Sequence, residues 1–89
     1  MFVVLVYDVD VSRISRVHKV CSRYLYWVQN SVFEGEISQE KLEELVEELK
    51  KILNREEDSL LIFKFMYKNM VRKTVLGKDK SEGGSDYII

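Results

Sequence analysis

The opening run Phe2-Val3-Val4-Leu5-Val6-Tyr7 leaves this chain least freedom in how it folds. Six consecutive apolar or aromatic residues are too few to span a bilayer, and they are too rich in Val for a helix of their own. Unbroken rather than alternating apolar character predicts a strand shielded from water on both faces. The run then ends abruptly in acid, at Asp8 and Asp10. A carboxylate at the exit of a central strand is held in place by the strand's packing, so a site can be built on it. Asp8 is therefore the candidate functional residue, and a cap on the following turn is the plain alternative.

Beyond the acids, Ile14, Val17, Val20, Cys21, Tyr24 and Leu25 recur at helical spacing and predict a helix over residues 12 to 25. Ser12 is its expected N-cap, with Asp10 competing. The other face carries Arg13, Arg16, Lys19 and Arg23. Arginines near a helix N-terminus oppose the macrodipole, but together with that terminus they offer a seat for phosphate. The same residues also fit an ordinary solvated face. Trp27-Val28-Gln29-Asn30-Ser31-Val32-Phe33 reads as a second strand. Glu34-Gly35-Glu36-Ile37 turns or begins a third, with Gly35 suited to a bulge.

Ser38 caps a second helix whose stripe is Leu42, Leu45, Val46, Leu49, Ile52 and Leu53, with Asn54 as its stop. Glu40, Glu43, Glu44, Glu47 and Glu48 make its outer face acidic. Asp58-Ser59 leads into Leu60-Leu61-Ile62-Phe63-Lys64-Phe65-Met66-Tyr67, a second almost unbroken apolar strand, and Thr74 to Gly77 suit a further short one. The order strand, helix, strand, strand, helix, strand is ferredoxin-like, an α+β fold with a four-stranded antiparallel sheet and both helices on one face. Two helices cover one side only, yet strands 1 and 4 read as apolar on both. The open side must meet another surface, and a homodimer packed through the sheets is the simplest solution. Such pairing would bring two copies of Asp8 together. Residues 1–78 form the expected domain, and 79–89 a flexible spacer and apolar tail. That tail either adds a strand to a partner's sheet or stays on its own.

Charge sharpens the reading only when it is divided along the chain. Residues 1–33 hold four Lys/Arg against two acids, 34–58 four against ten, and 59–89 six against three. Basic ends around an acidic middle allow a nucleic-acid partner. One cysteine and no evident secretory leader make the cytoplasm the expected compartment, and no segment reads as a membrane span. The sequence contains no Gly-rich phosphate loop and no Cys/His metal cluster. Ser31 lacks a base partner, since the single His18 lies on another element, so a Ser/His hydrolase is not expected. Two Asp8 carboxylates meeting across a dimer axis would suit Mg2+, which needs few protein ligands because it keeps several waters. Metal-bound water would then serve as nucleophile at a phosphodiester.

Two strings make the reading specific. Val6-Tyr7-Asp8 and Val28-Gln29-Asn30-Ser31-Val32-Phe33-Glu34-Gly35 resemble the small CRISPR-associated adaptation protein, the endoribonuclease-type partner of the CRISPR spacer integrase. The resemblance extends over nearly the whole chain. It implies a cytoplasmic homodimer that two integrase dimers flank and that holds duplex DNA before its insertion as a spacer. It also implies an endonuclease using Mg2+ on single-stranded RNA or duplex DNA, with Asp8 as the metal-binding and catalytic residue. Arg16 would match an important arginine of the family, within a nucleic-acid-binding set of Arg13, Arg16, Lys19 and Arg23. Tyr7, Ser31 and Phe33 are supporting candidates. Trp27 stands where some members carry arginine, a departure that weakens any direct transfer of a substrate preference. The competing readings are a purely structural DNA-binding adaptor and a ferredoxin-like module that binds a regulatory ligand.

Overall fold

A computed structural model describes residues 1–83 and the backbone of Tyr87–Ile88. The apolar opening run forms β1 (Phe2–Asp8). The other strands of the main sheet are β2 (Tyr26–Gln29), β3 (Val32–Glu36) and β4 (Ser59–Phe65). Their order is β2-β3-β1-β4 with every neighbour antiparallel, so β1 lies inside the sheet between β3 and β4. Helices α1 (Val11–Ser22) and α2 (Gln39–Lys50) complete the ferredoxin-like arrangement.

Period-two geometry divides β1 between its two faces. Val3, Leu5 and Tyr7 belong to the main core, together with Phe33 of β3, Val17, Val20 and Cys21 of α1, and Leu42, Leu45 and Leu49 of α2. Val4 and Val6 have the opposite parity and are only half-buried. Phe2 shares their parity and is buried outside the main cluster. In register, Val4 stands opposite Phe63 and Val6 opposite Leu61. Leu61 and Phe63 keep 54% and 50% of their surface exposed, so the far side of the β1–β4 pair is apolar and wet in one chain. On the β3 side of that face, Glu34 is paired with Lys73 at 2.7 Å.

Several boundaries differ from the sequence-based expectations. Asp10, not Ser12, caps α1: its carboxylate accepts the Ser12 amide at 3.0 Å and the Ser12 hydroxyl at 2.5 Å. Both residue types can cap, but Asp10 sits where its side chain reaches two residues on. The helix ends at Ser22, and Leu25 stays in the core while its amide bonds to the Cys21 carbonyl at 2.9 Å.

The expected second strand over residues 27 to 33 is really the two arms of a hairpin. Asn30 has φ 43°, the left-handed region that asparagine tolerates better than most residues, and the chain reverses there. A register shift between Trp27 and Gln29 adds a bulge to β2. Gly35 sits in regular pairing opposite Val3 instead of forming a bulge. A methyl there would meet Leu25 Cδ2 at 3.4 Å, an ordinary packing contact.

Ser38 caps α2 through the Lys41 amide at 3.2 Å, but the helix stops at Lys50, before Asn54. β4 ends at Phe65, short of Tyr67, and a 3-10 turn over Lys68–Met70 follows. Beyond it, β5 (Thr74–Val75) pairs in parallel with β6 (Tyr87–Ile88) of the same chain. Within the expected spacer, the Glu82 amide donates to the Trp27 carbonyl at 2.9 Å and the Glu82 carboxylate accepts the Trp27 amide at 2.8 Å. Residues 84–86 and 89, which the expected spacer and tail include, lie outside the described residues. No described helix is long and apolar enough to cross a membrane.

Candidate nucleic-acid and metal site

Asp8 closes β1 opposite Ser59 of β4. It shares the parity of Val4 and Val6, so it lies at one end of the open apolar face. It is exposed and has no side-chain partner among the described residues. The two neighbouring carboxylates are already engaged. Asp10 holds the α1 N-terminus, and its hydrogen bonds from Ser12 keep its carboxyl below the usual range. Asp58 forms a two-bond fork with Arg13, Nε to Oδ2 at 2.6 Å and a terminal nitrogen to Oδ1 at 3.0 Å. The guanidinium beside it holds the Asp58 carboxyl well below its ordinary value and pushes Arg13 upward.

The four basic residues expected to meet nucleic acid therefore divide. Arg13 is not presented to solvent as a free fork: its guanidinium is engaged by Asp58 and, at 3.3 Å, by Glu57. Arg23 is half-exposed but paired with Glu48 at 2.5 Å. Arg16 and Lys19 are exposed and have no partner among the described residues.

The supporting candidates lie on the helix-covered side or in the turn. Tyr7 is a core residue, stacked on Phe33 with centroids 6.4 Å apart, and burial pushes its hydroxyl pKa up. Phe33 is fully buried, with the His18 ring edge-on at 5.0 Å. Ser31 lies in the hairpin turn, where its carbonyl accepts the Tyr7 amide at 3.0 Å. These residues fix the frame behind Asp8 and do not line the open face. The sequence reading treated Asp58 only as the start of a strand. An acid beside an apolar run was the available signal, but its partner lies 45 residues away.

Among the described residues no three acidic, histidine or cysteine side chains cluster as metal ligands. Asp8 has the right chemistry for a hard cation as a carboxylate oxygen donor.

Fold and site together define a small ferredoxin-like protein with an acid, unpartnered among the described residues, at the exit of its central strand and a partly exposed apolar sheet face. The family model for CRISPR associated protein Cas2 matches residues 1–73. The CRISPR-associated endoribonuclease Cas2 2 of Archaeoglobus fulgidus is 43% identical over 88 residues, covering 99% of this chain and 96% of its own length. The CRISPR-associated endoribonuclease Cas2 of Pyrococcus furiosus is 43% identical over 81 residues, 91% of this chain and 93% of its own. A crystal structure of a cas2 protein superposes with TM-score 0.83 at 52% identity, covering 90% of each chain. Streptococcus pyogenes Cas2 at pH 6.5 gives TM-score 0.71 at 27% identity over 82% of this chain and 98% of its own. The chain belongs to the Cas2 family.

Proposed function

We propose that the protein is an endoribonuclease of CRISPR adaptation, working as a homodimer in the cytoplasm. The observation that carries this reading is Asp8, an unpartnered carboxylate fixed at the end of the central strand on the open apolar face. Packing two such faces together would remove Leu61 and Phe63 from water and bring two Asp8 side chains to one place. A pair of carboxylates supplies what one chain lacks for Mg2+. The ion, when bound, polarises a phosphoryl oxygen and lowers the pKa of its water. Asp8 holds it, and Arg16 and Lys19 bind the phosphates of single-stranded RNA or duplex DNA. The names of the relatives favour RNA as the substrate that is cut.

Cleavage of a single-stranded RNA oligonucleotide tests the reading. The parent protein cuts with magnesium and stops with chelator, while Asp8→Asn loses at least about 10²-fold in rate, the scale on which acid–base and metal-holding groups act. Cleavage that persists in Asp8→Asn overturns it.

The exposed Arg16 and Lys19 support a second role, holding duplex DNA between two integrase dimers. Under that role Arg16→Glu with Lys19→Glu weakens duplex binding and lowers its salt dependence, while Asp8→Asn binds as the parent does. Unchanged binding by the double reversal rules this role out.

A further inference from the structure

The Asp58 side chain has no exposed surface, and each of its oxygens accepts two hydrogen bonds. Oδ1 takes the Asp10 amide at 2.9 Å and a terminal nitrogen of Arg13 at 3.0 Å. Oδ2 takes Arg13 Nε at 2.6 Å and the Asn54 amide at 2.8 Å. One carboxylate thus staples three separate pieces of chain: the turn after β1, the first turn of α1, and the loop between α2 and β4. A guanidinium fork on a carboxylate that also accepts two amides has little freedom to reorient.

The staple brackets Asp8. Ser59, the residue after Asp58, stands opposite Asp8 in the β1–β4 ladder. Asp10, two residues downstream, is held by its amide to the same carboxylate. The main chain carrying Asp8 is therefore fixed from the side and from behind through a single group. A reacting carboxylate must be held to within about 0.5 Å, and residues that do not touch substrate usually supply that precision.

We infer that Arg13 and Asp58 are positioning residues for Asp8, and that Arg13 serves the reaction through Asp58 and not as a contact to nucleic acid. The inference rests on the reading of Asp8 as the catalytic carboxylate.

Turnover of a single-stranded RNA oligonucleotide with magnesium is measured for the parent, Asp8→Asn, Asp58→Asn and Arg13→Lys. Asp58→Asn puts a donor where only acceptors fit, and Arg13→Lys keeps the charge but loses the fork. Both are expected to lower kcat by about 10–100-fold, as loss of a supporting partner does, with KM within about twofold of the parent. Amide hydrogen exchange supplies a readout independent of activity. The Asp10 amide loses protection in both variants while Leu5 in the core keeps its own.

Parent-like turnover in Asp58→Asn, with cleavage still dependent on Asp8, overturns the positioning role alone. So does a raised KM confined to Arg13→Lys, which would make Arg13 a phosphate contact. Protection lost uniformly across the core overturns it as well. Cleavage that survives Asp8→Asn overturns the catalytic reading and this inference together. If Asp58→Asn fails to fold, Arg13→Lys decides by the same criteria.

Discussion

Asp58 and Arg13 show how one contact can reassign a residue. In the sequence, Arg13 stands in a basic row with Arg16, Lys19 and Arg23, and nothing local sets it apart. In the fold, its partner arrives from 45 residues away and takes the guanidinium out of that row. Long-range ion pairs leave no periodic trace, so the place of Asp8 at a strand exit was legible and the pairing of Arg13 was not. The same bond makes a pH prediction. The Asp58 carboxyl is depressed in the folded state, first by its hydrogen bond from Arg13, so the stability it contributes is fully present above the unfolded aspartate value of about 4. That contribution is lost as pH falls from there toward the depressed value. Urea midpoints measured between pH 5 and 2 should decline more steeply for the parent than for Asp58→Asn. Equal slopes would show that Asp58 is not the linked group.

Among the elements, the helices were the most legible and the hairpin the least. The stripe Leu42, Leu45 and Leu49 announces α2 because its period departs from that of a strand, and all three residues are buried in the core. Truncation there should be costly. Leu45→Ala removes a fully buried side chain and is expected to lose about 2–5 kcal/mol in denaturant titration. The hairpin hid because Trp27 to Phe33 reads as one strand, although the polar run Gln29-Asn30-Ser31 separates its two apolar arms. The reversal depends on one backbone angle, φ 43° at Asn30. Asn30→Gly should be tolerated, while the branched Asn30→Val should cost about 1–2 kcal/mol, seen as a lower urea midpoint at constant slope. A valine variant as stable as the parent would mean that the turn relaxes to another shape.

For the whole molecule, the sequence foretold the ferredoxin-like order and an apolar open face, because continuous runs in strands 1 and 4 exceed what two helices can cover. Leu61 and Phe63 remain about half exposed, which is the physical ground for pairing two copies. Phe63→Glu places a charge on that face without touching the main core. Under the proposed pairing, sedimentation equilibrium should report the mass of one chain for this variant and of two for the parent, with the far-ultraviolet circular dichroism unchanged. A Phe63→Glu protein that still sediments as two chains would place the contact elsewhere.

The ladder that joins Phe2 to Phe65 also sets a schedule for synthesis. β1 waits beside its hairpin until β4 has left the ribosome tunnel, because only then is its second edge satisfied. Closing so long a loop is entropically slow, and the interval leaves a greasy ribbon bare in the crowded cell. A messenger truncated before the codon for Ser59 should therefore yield insoluble product rather than a smaller working protein, and a holding chaperone would have most to do in that brief window.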